Sequence, residues 1–261
     1  MRRMLKDVAA HARLEARGWA SLPPLTQAET AALFALATER ESFCKRHSQS
    51  ADVGFDELWG NAEESYRDAV QRQIAALVTP AFERWFEGYR AVIYNFFIKR
   101  RRSPRSAVRY HYDFAVVDER QGDAAMQLWI PLVDTTPDNG TLIVREGSHR
   151  GVTAIRPHDY RHPASGDSLT ELPRDAVCPA TRAGEGVVFT NRTLHGSAPN
   201  LSALDRPALG AILVPEGLSV IHWVRATSGS AELWAMRDEE FRALHPGRFP
   251  AGARLVETVE G

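Results

Sequence analysis

The feature that most restricts what this chain can become is a series of seven short β-rich segments beginning after residue 90. AVIYNFFI (91–98), AVRYHYDFAVV (107–117), AMQLWIPLV (125–133), TLIVRE (141–146), GVVFTN (186–191), LGAILVP (209–215) and SVIHWVRA (219–226) are rich in β-branched and aromatic residues. Gly, Pro, Asn or Asp stands in most of the gaps between them. Strands following one another in this way predict a sandwich or jelly roll rather than a parallel sheet, which needs a crossover helix between strands.

The residues before this series read as mostly helical. Thr26 and Glu29 have the spacing of a capping box, and the Ala/Leu-rich run behind them predicts a helix over 27–39. From 61 to 90, Ala69, Ile74, Leu77, Phe82 and Trp85 recur three to five residues apart, with Pro80 expected to split the run into two helices. Residues 231–244 predict a terminal helix. One domain is expected over 1–261: a helical part to residue 90, a β core over 91–226, and a helix and tail over 227–261. The gap over 148–185 exceeds ordinary loop lengths and predicts a lid over a site.

Composition narrows the class of function. Hydrophobic residues at 44 % and charged residues at 25 % describe a folded chain with a real core. The 32 basic and 33 acidic side chains nearly cancel, so no overall field draws the molecule to nucleic acid or an anionic bilayer. Cys44 and Cys178 lie far apart without finger spacing, which speaks against a disulfide scaffold or structural zinc. No secretory segment or membrane-length apolar run is evident, and a cytoplasmic protein, monomer or homodimer, is expected.

The chemistry-bearing residues are spread along the β series. His111 and Asp113 stand two apart, on one face if their strand continues through both. With a distant third ligand they would form a two-histidine, one-carboxylate face, which holds Fe(II) on one side and leaves positions open. GVVFTN leads to His195-Gly196-Ser197, and Arg206 follows eleven positions after the histidine. Between the halves, Trp129 to Asp134 runs into Asp138-Asn139-Gly140, where a hairpin turn is expected, and then Gly147-Ser148-His149.

This joint pattern resembles the phytanoyl-CoA dioxygenase-like branch of the iron(II)/2-oxoglutarate oxygenases, over about residues 91–214. The resemblance implies a mainly β fold, a double-stranded β-helix (a cupin-like jelly roll) with N-terminal helices packed on one sheet. It implies His111, Asp113 and His195 as iron ligands, Arg206 as the arginine gripping the distal carboxylate of 2-oxoglutarate, and Ser197 and Trp129 as lining that cosubstrate. With O2, such a site hydroxylates an unactivated C–H of a small molecule, giving succinate and CO2; desaturation, epoxidation or cyclisation would use the same iron. Glu146 stands where relatives often have proline. Asp113 is retained, which disfavours halogenation, since halogenating relatives lack the carboxylate. A non-catalytic jelly-roll binding module is the alternative from another class.

Other residues carry both structural and functional readings. Asn95 sits on a strand expected to flank the pocket and would bond cosubstrate or substrate. Lys99, Arg100, Arg101, Arg102, Arg105 and Arg109 read as a solvated basic turn, or as recognition of a carboxylate or phosphate with Arg109 nearest the iron. Tyr160, Arg161 and Trp223 are substrate candidates beside the bland readings of loop solubility and core packing. His149 is expected to make a structural hydrogen bond.

Overall fold

The computed structural model describes residues 2–47, 54–57, 64–158, 175–179, 182–226, 229–244 and 250–260. Helix α1 (Val8–Arg17) is capped by the Asp7 carboxylate, which accepts from the Ala10 N–H, and ends at Gly18. It leads through β1 (Trp19–Ser21) to α2 (Gln27–His47). The Thr26–Glu29 capping box forms as expected: the Thr26 N–H donates to the Glu29 carboxylate at 2.8 Å, and the Glu29 N–H donates to the Thr26 hydroxyl at 3.2 Å. After β2 (Phe55–Glu57), α3 (Glu64–Trp85) runs through Pro80 unbroken, against expectation. Val78 and Ala81 on either side of the proline are fully buried, and that packing offsets the lost ladder bond.

The chain then enters the β core with β3 (Tyr89–Lys99), β4 (Val108–His111), β5 (Met126–Pro131), β6 (Leu142–Arg145), β7 (Ala176–Val177), β8 (Val187–Thr190), β9 (His195–Ser197), β10 (Arg206–Pro215) and β11 (Val220–Arg225). One sheet has the order β1-β8-β5-β10-β3-β2, and facing it lies a smaller sheet, β4-β9-β6-β7. The pairings are antiparallel throughout, and the two sheets make the expected double-stranded β-helix. Helices α1, α2 and α3 cover the outer face of the larger sheet: Leu14, Leu33, Ile74 and Val78 share one buried cluster with Phe96, Met126, Leu128 and Leu209.

The C-terminal segment departs from the helix expected over 231–244. Residues Ala231–Met236 form β12, helix α4 is confined to Asp238–Arg242, and β13 (Arg254–Val259) occupies what reads as a tail. β12 pairs with β11 on one side and β13 on the other, and two partner strands outweigh the helical preference of Ala, Glu, Leu and Met. SVIHWVRA therefore belongs to a third sheet, β11-β12-β13. The Asn139-Gly140 hairpin is also replaced: Pro137–Asn139 form one 3₁₀ turn, and β5 and β6 that flank it lie in opposite sheets.

Candidate functional site

The site begins at the pairing of β4 with β9. His111 and His195 are direct cross-strand partners, with ring centroids 4.3 Å apart. Each ring is aimed by its own backbone: His111 Nδ1 lies 2.8 Å from the Arg109 carbonyl, and His195 Nδ1 lies 3.0 Å from the Thr193 carbonyl. A carbonyl can only accept, so each Nδ1 carries a proton, and Nε2 is the ring atom that faces the site. Burial, and then the neighbouring His111, push the His195 imidazole down to about 4, which keeps it neutral. Gly196 is required between His195 and Ser197, because a Cβ there would sit 2.8 Å from the Val108 carbonyl of β4.

Asp113 reaches the same point by another route. The strand ends at His111, with a register irregularity between Val108 and His111, so Asp113 is placed by its loop rather than by strand alternation. Arg156 fixes that loop. Its Nε donates to the Asp113 carbonyl at 2.8 Å, its Nη1 to the Thr153 carbonyl at 2.6 Å, and both terminal nitrogens to the Glu119 carboxylate at 2.7 Å. Both side chains of the pair are fully buried. The Ala115 N–H donates to the Arg156 carbonyl, and the Asn191 amide to the Phe114 carbonyl. As a result Asp113 Oδ1 lies 3.6 Å from His111 Nε2, and Oδ2 lies 3.9 Å from His195 Nε2. All three ligand atoms fall within 4.8 Å of one another.

These atoms open into a cavity of about 930 Å³ between the sheets, bordered by Trp129, Asn95, Ser197 and Arg206 among others. Arg206, the first residue of β10, is buried; its Nη2 donates to the Gly140 carbonyl at 3.2 Å, and its guanidinium stands 5.5 Å from the Trp129 ring centroid. Nε and Nη1 of Arg206 have no hydrogen-bond partner, and burial lowers its proton affinity to a pKa of about 9. The left-handed turn at Gly140 (φ 78°) brings that carbonyl in, and a side chain there would strike the Ala198 carbonyl.

Several expectations are corrected. Arg109 is exposed and absent from the residues bordering the cavity; the β4 irregularity turns Val108, not Arg109, toward the interior. Lys99 is no part of a solvated turn: it is fully buried, its ammonium donates to the Ser197 and Ala198 carbonyls, and burial together with Arg206 lowers it to about 6. Trp223 packs with Ala115, Ile221 and Leu233, under the Arg120 guanidinium, while also bordering the cavity. Within 148–185, Val152 and Arg156 are anchored in the interior, and residues 159–174 and 180–181 of the expected lid lie outside the described residues. Tyr160 and Arg161 lie outside the described residues. His149 Nε2 bonds the Glu15 carbonyl at 3.1 Å, tying the loop to α1. Sequence reasoning missed Glu119 and Arg156, whose types are ordinary on a surface and whose partnership spans 37 positions.

Comparison with known proteins places the chain. The family described as Phytanoyl-CoA dioxygenase matches residues 19–208. Among curated proteins, the chain is 27 % identical over 151 residues to a probable alpha-ketoglutarate-dependent hypophosphite dioxygenase of Stutzerimonas stutzeri, covering 54 % of this chain and 51 % of that protein. It is 31 % identical over 114 residues to the ectoine dioxygenase of Nocardia farcinica, covering 37 % and 38 %. The chain thus matches about half or less of the length of these relatives. Among solved structures, the epimerase SnoN from nogalamycin biosynthesis superposes with a TM-score of 0.60 at 18 % identity, over 97 % of this chain and 94 % of that one. HygX from Streptomyces hygroscopicus, solved with nickel, 2-oxoglutarate and hygromycin B, gives 0.53 at 14 % identity, over 80 % and 88 %. At such identities the structural likeness speaks for the fold. The family match extends over most of the chain and contains both histidines, the aspartate and the arginine described above, so this protein is a member of the phytanoyl-CoA dioxygenase family.

Proposed function

We propose that the protein is an iron(II)- and 2-oxoglutarate-dependent dioxygenase that hydroxylates an unactivated C–H bond of a small molecule, consuming O2 and releasing succinate and CO2. The observation that carries this reading is the convergence of His111 Nε2, His195 Nε2 and the Asp113 carboxylate in a cavity whose wall holds a buried guanidinium. The donor set fits the metal: two imidazoles and one carboxylate suit Fe(II) and leave further coordination positions open. Asp113 Oδ2 is buried and without a hydrogen-bond partner, as a ligand oxygen would be. The orphaned Nε and Nη1 of Arg206 fit a carboxylate in the same way.

In this reading His111, Asp113 and His195 hold the iron. Arg206 takes the distal carboxylate of 2-oxoglutarate, with Ser197, Trp129 and Asn95 lining it. When bound, iron and 2-oxoglutarate supply the oxidising chemistry, in which decarboxylation of the keto acid to succinate takes one oxygen atom of O2 and the substrate C–H bond receives the other. The protein's own residues orient and exclude. Nδ1 protons tied to the Arg109 and Thr193 carbonyls keep both Nε2 atoms aimed inward. Trp129, Leu142 and Phe189 form the apolar wall that keeps water from the Arg206 end. The intact donor set with Arg206 weighs against a binding module without catalysis, and retention of Asp113 weighs against halogenation.

The test is anaerobic addition of Fe(II) and 2-oxoglutarate to the wild-type protein and to Asp113→Ala and His195→Ala. The expected result is a weak visible charge-transfer band in the wild type only, with substrate-dependent succinate formation lost in both variants. Turnover and the band persisting in a variant overturn the ligand assignment.

A further inference from the structure

We propose that the substrate presents an apolar, ring-bearing body to an aromatic wall of the cavity, and that Phe114, the residue after Asp113, is what selects a flat ring there. The inference rests on the dioxygenase reading for what happens to that body, while its binding test stands apart from that reading.

The length of the cavity comes first. Along β10 it is bordered from Arg206 to Ile212. Six residues of strand separate these two, or about 20 Å. A five-carbon diacid anchored on Arg206 covers only the near end. A total of about 930 Å³ is at the upper end for sites that take drug-sized ligands.

Beyond that end the border is apolar and its members touch. Phe114, Ile212, Phe241 and Leu244 belong to one hydrophobic cluster, and all four border the cavity. The Phe114 ring centroid lies 6.3 Å from Phe241, 5.9 Å from His222 and 5.1 Å from His158, and the two imidazoles are 6.4 Å apart. Both histidines border the cavity as well. The wall is held from behind. The Phe114 carbonyl accepts from the Asn191 side-chain amide at 3.2 Å, and Arg156 ties the residues on either side, Asp113 and Ala115, through their backbones. Helix α4, which carries Phe241, is pinned to β3 at both ends: Arg90 donates to the Asp238 carboxylate at 2.8 and 2.9 Å, and Arg242 donates to the Val92 carbonyl at 3.3 Å.

Chemistry sets the substrate class. The four centroid spacings fall within the roughly 4.5–7 Å of rings already in contact, so these rings form a wall and not a slot, and a substrate ring lies against them. Burial, and then His158, push the His222 imidazole down to about 4, so at neutral pH it adds an uncharged ring to the wall. A flat, rigid ring meets a fixed aromatic face with little ordering cost, whereas a flexible chain of the same size must freeze its rotors to follow it. Position makes Phe114 the selecting member. Consecutive Cα atoms are about 3.8 Å apart, so a body resting on the Phe114 ring lies on the side of the cavity where the Asp113 carboxylate stands.

The experiment uses the full chain with Mn(II) and 2-oxoglutarate, and follows by fluorine NMR the binding of two uncharged alcohols, 6-fluoro-2-naphthylmethanol and 8-fluoro-1-octanol. The expected result is at least fivefold tighter binding of the naphthyl alcohol, with its fluorine relaxation quickened by Mn(II). Phe114→Leu, which keeps an apolar side chain but removes the ring, should cut the preference below twofold, and Phe114→Trp should retain it. Equal binding of the two alcohols by the wild type, binding of neither up to their solubility limits, or naphthyl binding untouched by bound Mn(II) overturns the proposal without requiring any variant to fold. A preference unchanged in Phe114→Leu, or lost there together with Mn(II) affinity, overturns the selecting role. The same titration without Mn(II) and 2-oxoglutarate separates the two readings: ring preference in a protein that binds no Mn(II) retains the wall and removes the dioxygenase site.

Discussion

Arg156→Met tests how Asp113 is held. The substitution removes four charge-assisted hydrogen bonds: two to Glu119 at 2.7 Å, one to the Thr153 carbonyl at 2.6 Å and one to the Asp113 carbonyl at 2.8 Å. It leaves the Glu119 carboxylate fully buried, with Arg192 Nε at 3.7 Å as its nearest cation. Stranding one member of a buried pair costs about 3–5 kcal/mol, a large share of the stability of an ordinary domain. Replacing both members, as Arg156→Met with Glu119→Leu, removes the stranded charge and should restore most of that loss. The two carbonyls stay unsatisfied at about 1–3 kcal/mol each.

Metal affinity should behave differently. Asp113 lies beyond the end of its strand, so without Arg156 its carbonyl has lost its anchor in both the single and the double variant. Removal of such a supporting group typically costs about 10- to 100-fold in metal affinity. Urea unfolding of the metal-free protein gives the first quantity, and anaerobic titration with Co(II), followed by its visible bands, gives the second. The reasoning predicts stability recovered and metal affinity not recovered in the double variant. Recovery of both, or a cost below about 1 kcal/mol for the single change, would refute it.

Three further outcomes are expected. Arg206→Ala should raise the 2-oxoglutarate requirement about 10- to 150-fold, the equivalent of a charge-assisted pair of about 1.5–3 kcal/mol, and an unchanged requirement in steady-state assays would remove the assigned role. Gly196→Ala, by forcing a methyl to within 2.8 Å of the Val108 carbonyl, should separate β4 from β9, cost about 1–3 kcal/mol and weaken metal binding more than Ser197→Ala does in parallel titrations. His222 is lowered from 6.5 to about 4 by burial, so its neutral form is favoured in the fold. Its contribution is fully present above pH 6.5 and falls by about 3 kcal/mol as pH drops toward 4. Chemical unfolding across that range should show a shallower acid slope in His222→Gln than in the wild type.

The helical beginning and the β-rich core were legible because capping chemistry and residue type act locally. The Thr26–Glu29 box needs three residues, and a run such as AVIYNFFI has little alternative to a strand. Residues 231–244 misled the reading for the complementary reason. Their composition favours a helix, and only the presence of β11 on one side and β13 on the other makes Ala231–Met236 a strand. Arg109 misled it because strict alternation was assumed through a stretch where β4 is irregular, and a slip of one residue turns a side chain to the other face.

What the sequence determined by itself is the inventory: His111, Asp113, His195 and Arg206 in an order and setting that mark the family, since those positions are tied to strand ends and to one another in spacing. What only the tertiary structure decided is the company they keep. Glu119 with Arg156, and Lys99 beneath Ser197 and Ala198, are both partnerships between residues far apart in the chain. Burial turns those common charged residues into structural elements, because a charge removed from water must find a partner across whatever distance the fold has closed.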